Sequence, residues 1–189
     1  MKRWIVFSEH AYAQLSIMLF NWNSEFHIDG CITRSIKGQL GGEREMREIE
    51  YYIDHFIVPP QEVGACHTYQ DAPGIADWLN SLSDDEFNSR RCFLHSHVDM
   101  SVNPSGTDIE NQEEYIKILG EHDFAVFVIA NKKGEFYIRI VDNEFPMTED
   151  DMVYIEAAGL TDWVREADRN IKEKKYGILH GSSINPEIS

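Results

Sequence analysis

Apolar positions in this chain follow two periods, and the switches between them divide it into short elements. Trp4-Ile5-Val6-Phe7 is an apolar run that predicts a strand. Ala11, Leu15, Met18 and Leu19 then recur at helical spacing, with Ser8 placed to cap the helix and Glu9 favourable in its first turn. Asn21-Trp22-Asn23-Ser24 ends that helix. Glu25 to Lys37 predicts a second strand, since Phe26, Ile28, Ile32 and Ile36 mostly alternate. Gly30 interrupts the alternation and marks either a bulge or a close backbone approach. Tyr51 to Val58 predicts a strand closed by Pro59-Pro60, and Glu62 to Tyr69 another, at an edge. Between them, Gly38-Gln39-Leu40-Gly41-Gly42 is rich in glycine but precedes no helix with Lys-Ser/Thr. It predicts a hairpin tip, not a phosphate loop. Glu43 to Glu50 alternates charges, the mark of a solvated face.

Asp71-Ala72-Pro73-Gly74 opens a short helix with Ile75, Trp78, Leu79 and Leu82 on one face, and Asp84-Asp85-Glu86-Phe87 adds a turn. Arg91-Cys92-Phe93-Leu94 is apolar enough for a buried strand. Phe124 to Ala130 is almost continuously apolar, which predicts a central strand covered on both faces. Asn131-Lys132-Lys133-Gly134 turns the chain into a strand over Phe136 to Val141. From Thr148 the spacing of Met152, Ile155, Ala158 or Gly159, Trp163 and Ala167 predicts an amphipathic helix. Thr148 and Asp151 resemble a capping box, and Lys172 to Lys175 suits the helix C-terminus. That helix needs a cover, because an isolated one is marginal in water. Docking on the chain's own sheet is the first expectation and pairing with a second copy the next. The tail from Tyr176 to Ser189 reads as frayed. Strands alternating with helices give an α/β sandwich with a mixed sheet.

Composition narrows the function classes. At 189 residues and 42% hydrophobic content the chain can bury a real core as one domain with an addition. A net charge of -16 repels phosphate backbones, so nucleic acid is not an expected partner. There is no membrane-spanning apolar run and no signal peptide pattern. Cys31, Cys66 and Cys92 are odd in number and far apart, which suits reduced thiols in a cytoplasmic protein.

The chemistry concentrates in His95-Ser96-His97-Val98-Asp99-Met100-Ser101-Val102-Asn103-Pro104-Ser105-Gly106-Thr107-Asp108. At the end of a strand His95 and His97 point to one face. Asn103-Pro104 turns the chain, and Ser105 stands as N-cap of a helix through Asn111-Gln112-Glu113-Glu114-Tyr115-Ile116. Asp108 falls in that helix's first turn. Two imidazoles and one carboxylate form a three-ligand set suited to zinc, with the fourth position left for water. Asp99 is expected to orient a histidine or to stay solvated. His10, His27, His55, His67, His122 and His180 have no motif partner, although His27 lies two residues from Glu25 on the same strand face.

The spacing His-x-His, seven residues, Ser, two residues, Asp resembles the signature of the JAMM metalloproteases, the catalytic members of the JAB/MPN domain family. Here it falls on His95, His97, Ser105 and Asp108. The resemblance implies the MPN fold over residues 1–145, a three-layer sandwich related to the cytidine deaminases; the C-terminal helical extension and tail over 146–189 lie outside it. It implies Zn²⁺ held by His95, His97 and Asp108, with Ser105 donating to the oxyanion of the tetrahedral intermediate. It also implies a glutamate base on the strand after the first helix, shortly before a glycine. Glu25 fills that place ahead of Gly30, at a spacing longer than the family's usual one. The expected activity is hydrolysis of a peptide or isopeptide bond, with ubiquitin-like or small-modifier conjugates among the candidate substrates, by a monomer or homodimer. The compact chain resembles prokaryotic or phage JAB proteins. The alternative is an MPN-type binding or assembly module without catalysis. A complete ligand motif argues against that alternative, since a scaffold has no need of an open metal site.

Overall fold

The structure is a computed structural model that describes residues 1–37, 48–63, 68–69, 72–160 and Arg169. The glycine-rich segment at 38–42, Cys66, Trp163 and the basic cluster and tail beyond it lie outside the described residues.

Strand β1 (Lys2–Phe7) leads into helix α1 (Glu9–Asn21), whose first turn is closed by the Ser8 hydroxyl accepting from the Ala11 N–H. Strands β2 (His27–Lys37) and β3 (Glu48–Ile57) follow. Next come β4 (Glu62–Val63) and β5 (Thr68–Tyr69), then α2 (Ala72–Ser81) and α3 (Asp84–Ser89). The rest is β6 (Arg90–Ser96), α4 (Gly106–Ile116), β7 (Phe124–Ala130), β8 (Phe136–Asp142) and β9 (Met152–Ala157). Seven strands form one mixed sheet in the order β8-β7-β6-β2-β3-β1-β9. β6–β7, β1–β3 and β1–β9 are parallel, and the remaining neighbours antiparallel. The chain is thus α/β with a mixed sheet.

Strand alternation sorts the two faces. Cys92 and Leu94 of β6 join Ile28, Ile53, Val126 and Val128 in the core, together with Ala11 and Leu15 of α1. Phe93 and His95 point the other way, to the face that α4 covers. The parallel pair β6–β7 therefore needs a crossover, and α4 supplies it. The site sits where β6 ends and α4 begins, outside the carboxyl end of a parallel strand.

Gly30 is both of the things its position allowed. The β2 register shifts on either side of Cys31, and a Cβ on Gly30 would lie 2.9 Å from Cys92 Cβ. Ile36 departs from the expected alternation: it is 54% exposed, because β2 runs out of the core at its C-terminal end.

Two expectations are corrected. The single strand expected over Glu62 to Tyr69 is instead two short strands paired antiparallel with each other, apart from the main sheet. The amphipathic helix expected from Thr148 does not begin there. Met152–Ala157 is strand β9, in register with β1 from Lys2↔Met152 to Phe7↔Ala157. The boundary expected after Phe145 thus leaves a strand of the same sheet on its far side. The cause is Asp151. Its carboxylate does take the Thr148 hydroxyl, at 3.0 Å, but it also meets buried Arg3 at 2.7 Å and the Met1 amino group at 3.0 Å. Arg3 also donates to the Tyr51 hydroxyl and to the carbonyls of Phe145 and Pro146. These contacts fix the chain entering β9 against β1, and an edge strand satisfies more of its backbone than a lone helical turn would.

Candidate metal centre

Three donor side chains converge at the end of β6. One ligand atom from each of His95, His97 and Asp108 lies within 4.8 Å of the others. The two imidazole centroids are 4.9 Å apart. His95 Nε2 is 3.1 Å from Asp108 Oδ1, and His97 Nε2 is 3.5 Å from Asp108 Oδ2. His95 Nε2 is also buried without a hydrogen-bond partner, despite the nearby carboxylate. A buried nitrogen in that state is costly. A close oxygen that makes no hydrogen bond to that nitrogen is an arrangement that two ligands of one cation would have. The donor set therefore fits a metal ion; imidazole with carboxylate suits zinc among several divalent metals.

Local structure places each candidate ligand. Ser96, 1% exposed, carries the two histidines on either side and is anchored to β2: its N–H donates to the Phe26 carbonyl at 3.0 Å, and its hydroxyl accepts from the Phe26 N–H at 3.1 Å. His97 Nδ1 is 2.5 Å from the Ser101 carbonyl, which can only accept, so Nδ1 carries a proton and, in the neutral tautomer, Nε2 is the free donor atom. Asp99 is exposed and plays no such part, which decides its two alternatives for the solvated one. Asp108 is held as expected. The Ser105 N–H donates to its Oδ2 at 2.6 Å, and its own N–H donates to the Ser105 hydroxyl at 3.2 Å, a complete capping box.

The protonation states suit metal binding. Burial outweighs the attraction of Asp108 and pushes His95 down to about 4, so it is neutral near pH 7. Burial alone would raise the Asp108 carboxyl. The Ser105 hydroxyl and backbone, then the two histidines, outweigh it and hold the group below its ordinary value.

Glu25 precedes β2 and is half-buried. The β2–β6 register pairs His27 with His95, and the Phe26–Ser96 bonds continue it. Extending that antiparallel register by one more residue, past the start of β2, would set Glu25 opposite His97.

Several contributors carried no signal in the sequence. The Ser101 carbonyl is a backbone group and has none. Asn131 is fully buried; its Nδ2 donates to the Met100 carbonyl at 2.9 Å, and its Oδ1 accepts from the N–H groups of Lys133 and Glu135. It ties the loop after His97 to the β7–β8 turn, although the sequence marks it only as a turn residue. Asp29, 1% exposed, binds His27 Nε2 at 2.7 Å and Arg90 at 2.7 Å. Burial works against its charge, and the two partners overcome that and lower its pKa.

The chain matches no protein-family model, and no curated protein matches it.

Proposed function

We propose that the chain is a zinc metallopeptidase of the JAMM type, built on the MPN fold, which hydrolyses a peptide or isopeptide bond. The observation that carries this reading is the convergence of His95, His97 and Asp108 on one point, with His95 Nε2 buried and unpartnered. The coincidence of that point with the motif's Ser105 cap supports it further. His95, His97 and Asp108 would hold the ion. A bound zinc supplies Lewis acidity and a water whose pKa is lowered to about 7.

The chain's own residues supply the rest. Glu25, which precedes β2 beside the end of β6, would act as the base, its carboxylate holding a proton and delivering it to the leaving amine. The Ser105 hydroxyl oxygen accepts from the Asp108 N–H, and its own proton is then available to an oxyanion. The Ser101 carbonyl keeps the His97 ring oriented through Nδ1. The substrate is a protein or peptide, with ubiquitin-like conjugates one class to try. Buried, unpaired Cys31 and Cys92 suit a reducing, cytoplasmic setting. Among the described residues no helix is long and apolar enough to cross a membrane.

The test is metal analysis followed by turnover. The purified chain is expected to hold about one zinc, as a three-ligand site should. The double variant His95→Ala/His97→Ala should hold none, and full occupancy there would refute the ligand assignment. Glu25→Gln should keep the zinc and lose hydrolysis. Turnover at the unmodified rate in that variant would remove Glu25 from the mechanism.

A further inference from the structure

Beside the candidate metal centre, α4 and the sheet do not close on each other. Gln112 is the one buried residue of α4, and a cavity of about 150 Å³ remains between its inner face and the sheet. Asp108, Asn111 and Tyr115 line it from the helix at spacings of three and four, the positions that share a face. His95 lines it from β6, so the cavity opens directly onto two of the three candidate ligands.

Its far wall is aromatic. The Phe93 ring is 4.2 Å from Tyr115 and 5.7 Å from Phe127, and Tyr115 meets Phe127 edge-on at 6.0 Å. His27 stacks over Phe93 at 6.5 Å, with its Nε2 already engaged by Asp29. Aromatic walls favour an apolar guest, above all a flat one. Size limits the guest further. Pockets for whole cofactors or drug-sized ligands run to about 300–1,000 Å³, whereas an apolar cavity of about 150 Å³ accepts a benzene ring. One side chain fits here and a larger molecule does not.

We infer that this cavity is a specificity pocket for one bulky apolar side chain of the substrate, phenylalanine or leucine, beside the bond to be cleaved. The inference rests on the metallopeptidase reading and deepens it. It assigns the substrate class as a peptide with a large apolar residue next to the scissile bond. An all-glycine modifier tail would leave the pocket empty. Apolar pockets discriminate by roughly 10- to 200-fold even for a single methylene, so the preference for phenylalanine over glycine is at least tenfold.

Two measurements on the full zinc-loaded chain test this, and they fail independently. The first presents peptides that differ only in carrying Gly, Leu, Phe or Trp at each position, with cleavage sites read by mass spectrometry. Leu and Phe next to the cleaved bond should raise kcat/KM at least tenfold over Gly. Asn111 is exposed on α4, so Asn111→Trp plugs the pocket from outside without disturbing the core. It should erase the preference, bringing kcat/KM for the Phe and Leu peptides down to the level of the glycine peptide. Tyr115→Ala should widen the pocket and admit Trp. The second measurement needs no turnover: NMR titration with the Phe and Gly peptides, following the rings of Phe93, Tyr115 and Phe127. The Phe peptide alone should shift them, and Asn111→Trp should abolish the shift. Cleavage of the glycine peptide as fast as the phenylalanine one overturns the pocket while sparing the peptidase. Ring shifts without cleavage of any peptide overturn the peptidase while sparing the pocket. Neither cleavage nor ring shifts overturns both.

Discussion

Replacing Asp151 with Asn tests whether β9 is held by charge or merely lies along the edge of the sheet. The side chain is 2% exposed, and its partners are the Arg3 guanidinium at 2.7 Å, itself 0% exposed, and the Met1 amino group at 3.0 Å. Burial by itself would raise this carboxyl. The Met1 and Arg3 hydrogen bonds, with the Thr148 hydroxyl, reverse that and bring it down to about 2. An unfolded aspartate titrates near 3.9, so the unfolded chain binds the proton more readily than the folded one. Stability from this group is therefore complete above about pH 5 and is lost as pH falls through 3.9 towards 2. The difference corresponds to about 2.5 kcal/mol at neutral pH. Orphaning a buried partner typically costs about 3–5 kcal/mol. Arg3 keeps the Tyr51 hydroxyl and two backbone carbonyls, so the lower end of that range applies. Asp151→Asn should cost about 3 kcal/mol at pH 7, or roughly 6–12 °C in Tm for a chain of this size. Urea unfolding followed by circular dichroism, at pH 7 and pH 3, measures it. The deficit relative to the unmodified chain should shrink by about half at pH 3, where the unfolded carboxyl is already protonated. A deficit below about 0.5 kcal/mol at pH 7, within the range of ordinary surface substitutions, would refute the reasoning. So would a deficit that stays constant with pH.

Other substitutions probe the site's supports. Ser105→Ala removes the α4 cap and should cost about 1 kcal/mol in chemical denaturation, with hydrolysis falling about 100-fold or more. Ser105→Gly should recover most of the stability but none of the activity, which separates the two roles. Gly30→Ala sets a methyl 2.9 Å from Cys92 Cβ and 3.1 Å from the Phe56 ring, and should cost about 1–3 kcal/mol by the same assay. Asn131→Ala frees the loop after His97 and should weaken zinc affinity about 10-fold or more, measured by competition with a chelator. Unchanged affinity in that variant would mean that the loop holds its shape without Asn131.

Much of the fold was legible because local rules suffice for it. Ala11 and Leu15 at helical spacing, the unbroken apolar run at Phe124–Ala130, and Ser105 three residues before Asp108 each declare their element without distant partners. The C-terminal strand was not legible for the opposite reason. Met152 and Ile155 are three apart, which suits a helix, while Val153 and Ile155 are two apart, which suits a strand. With Met152 54%, Val153 39% and Ile155 46% exposed, neither pattern has a strongly buried face to break the tie. What decides is Arg3, far away in sequence, and pairing of that range leaves no local mark. Glu62 to Tyr69 failed similarly, since two strands of two residues each are too short to show a period.

The candidate site divides along the same line. The clustering of the three candidate ligands was readable because all three fall within one loop and the elements it joins, so their spacing encodes their proximity. The geometry between them is not encoded there. Directly after His97, Val98 adopts φ 48°, a left-handed conformation that costs a β-branched residue about 1–3 kcal/mol. The loop keeps it because three bonds over-determine the path. The Met100 N–H reaches the His97 carbonyl at 2.7 Å, the Lys132 N–H reaches the Val98 carbonyl at 2.7 Å, and Asn131 holds Met100. Two of those three come from the β7–β8 turn, some thirty residues along the chain. The turn carries out in bonds what the motif states only as types, and it holds the loop that follows His97 beside His95 and Asp108. A chain could carry the same histidines, serine and aspartate at the same spacing, lack that turn, and hold a metal poorly. The identity of position 131 should therefore separate chains that hold the ion from chains that only carry the motif.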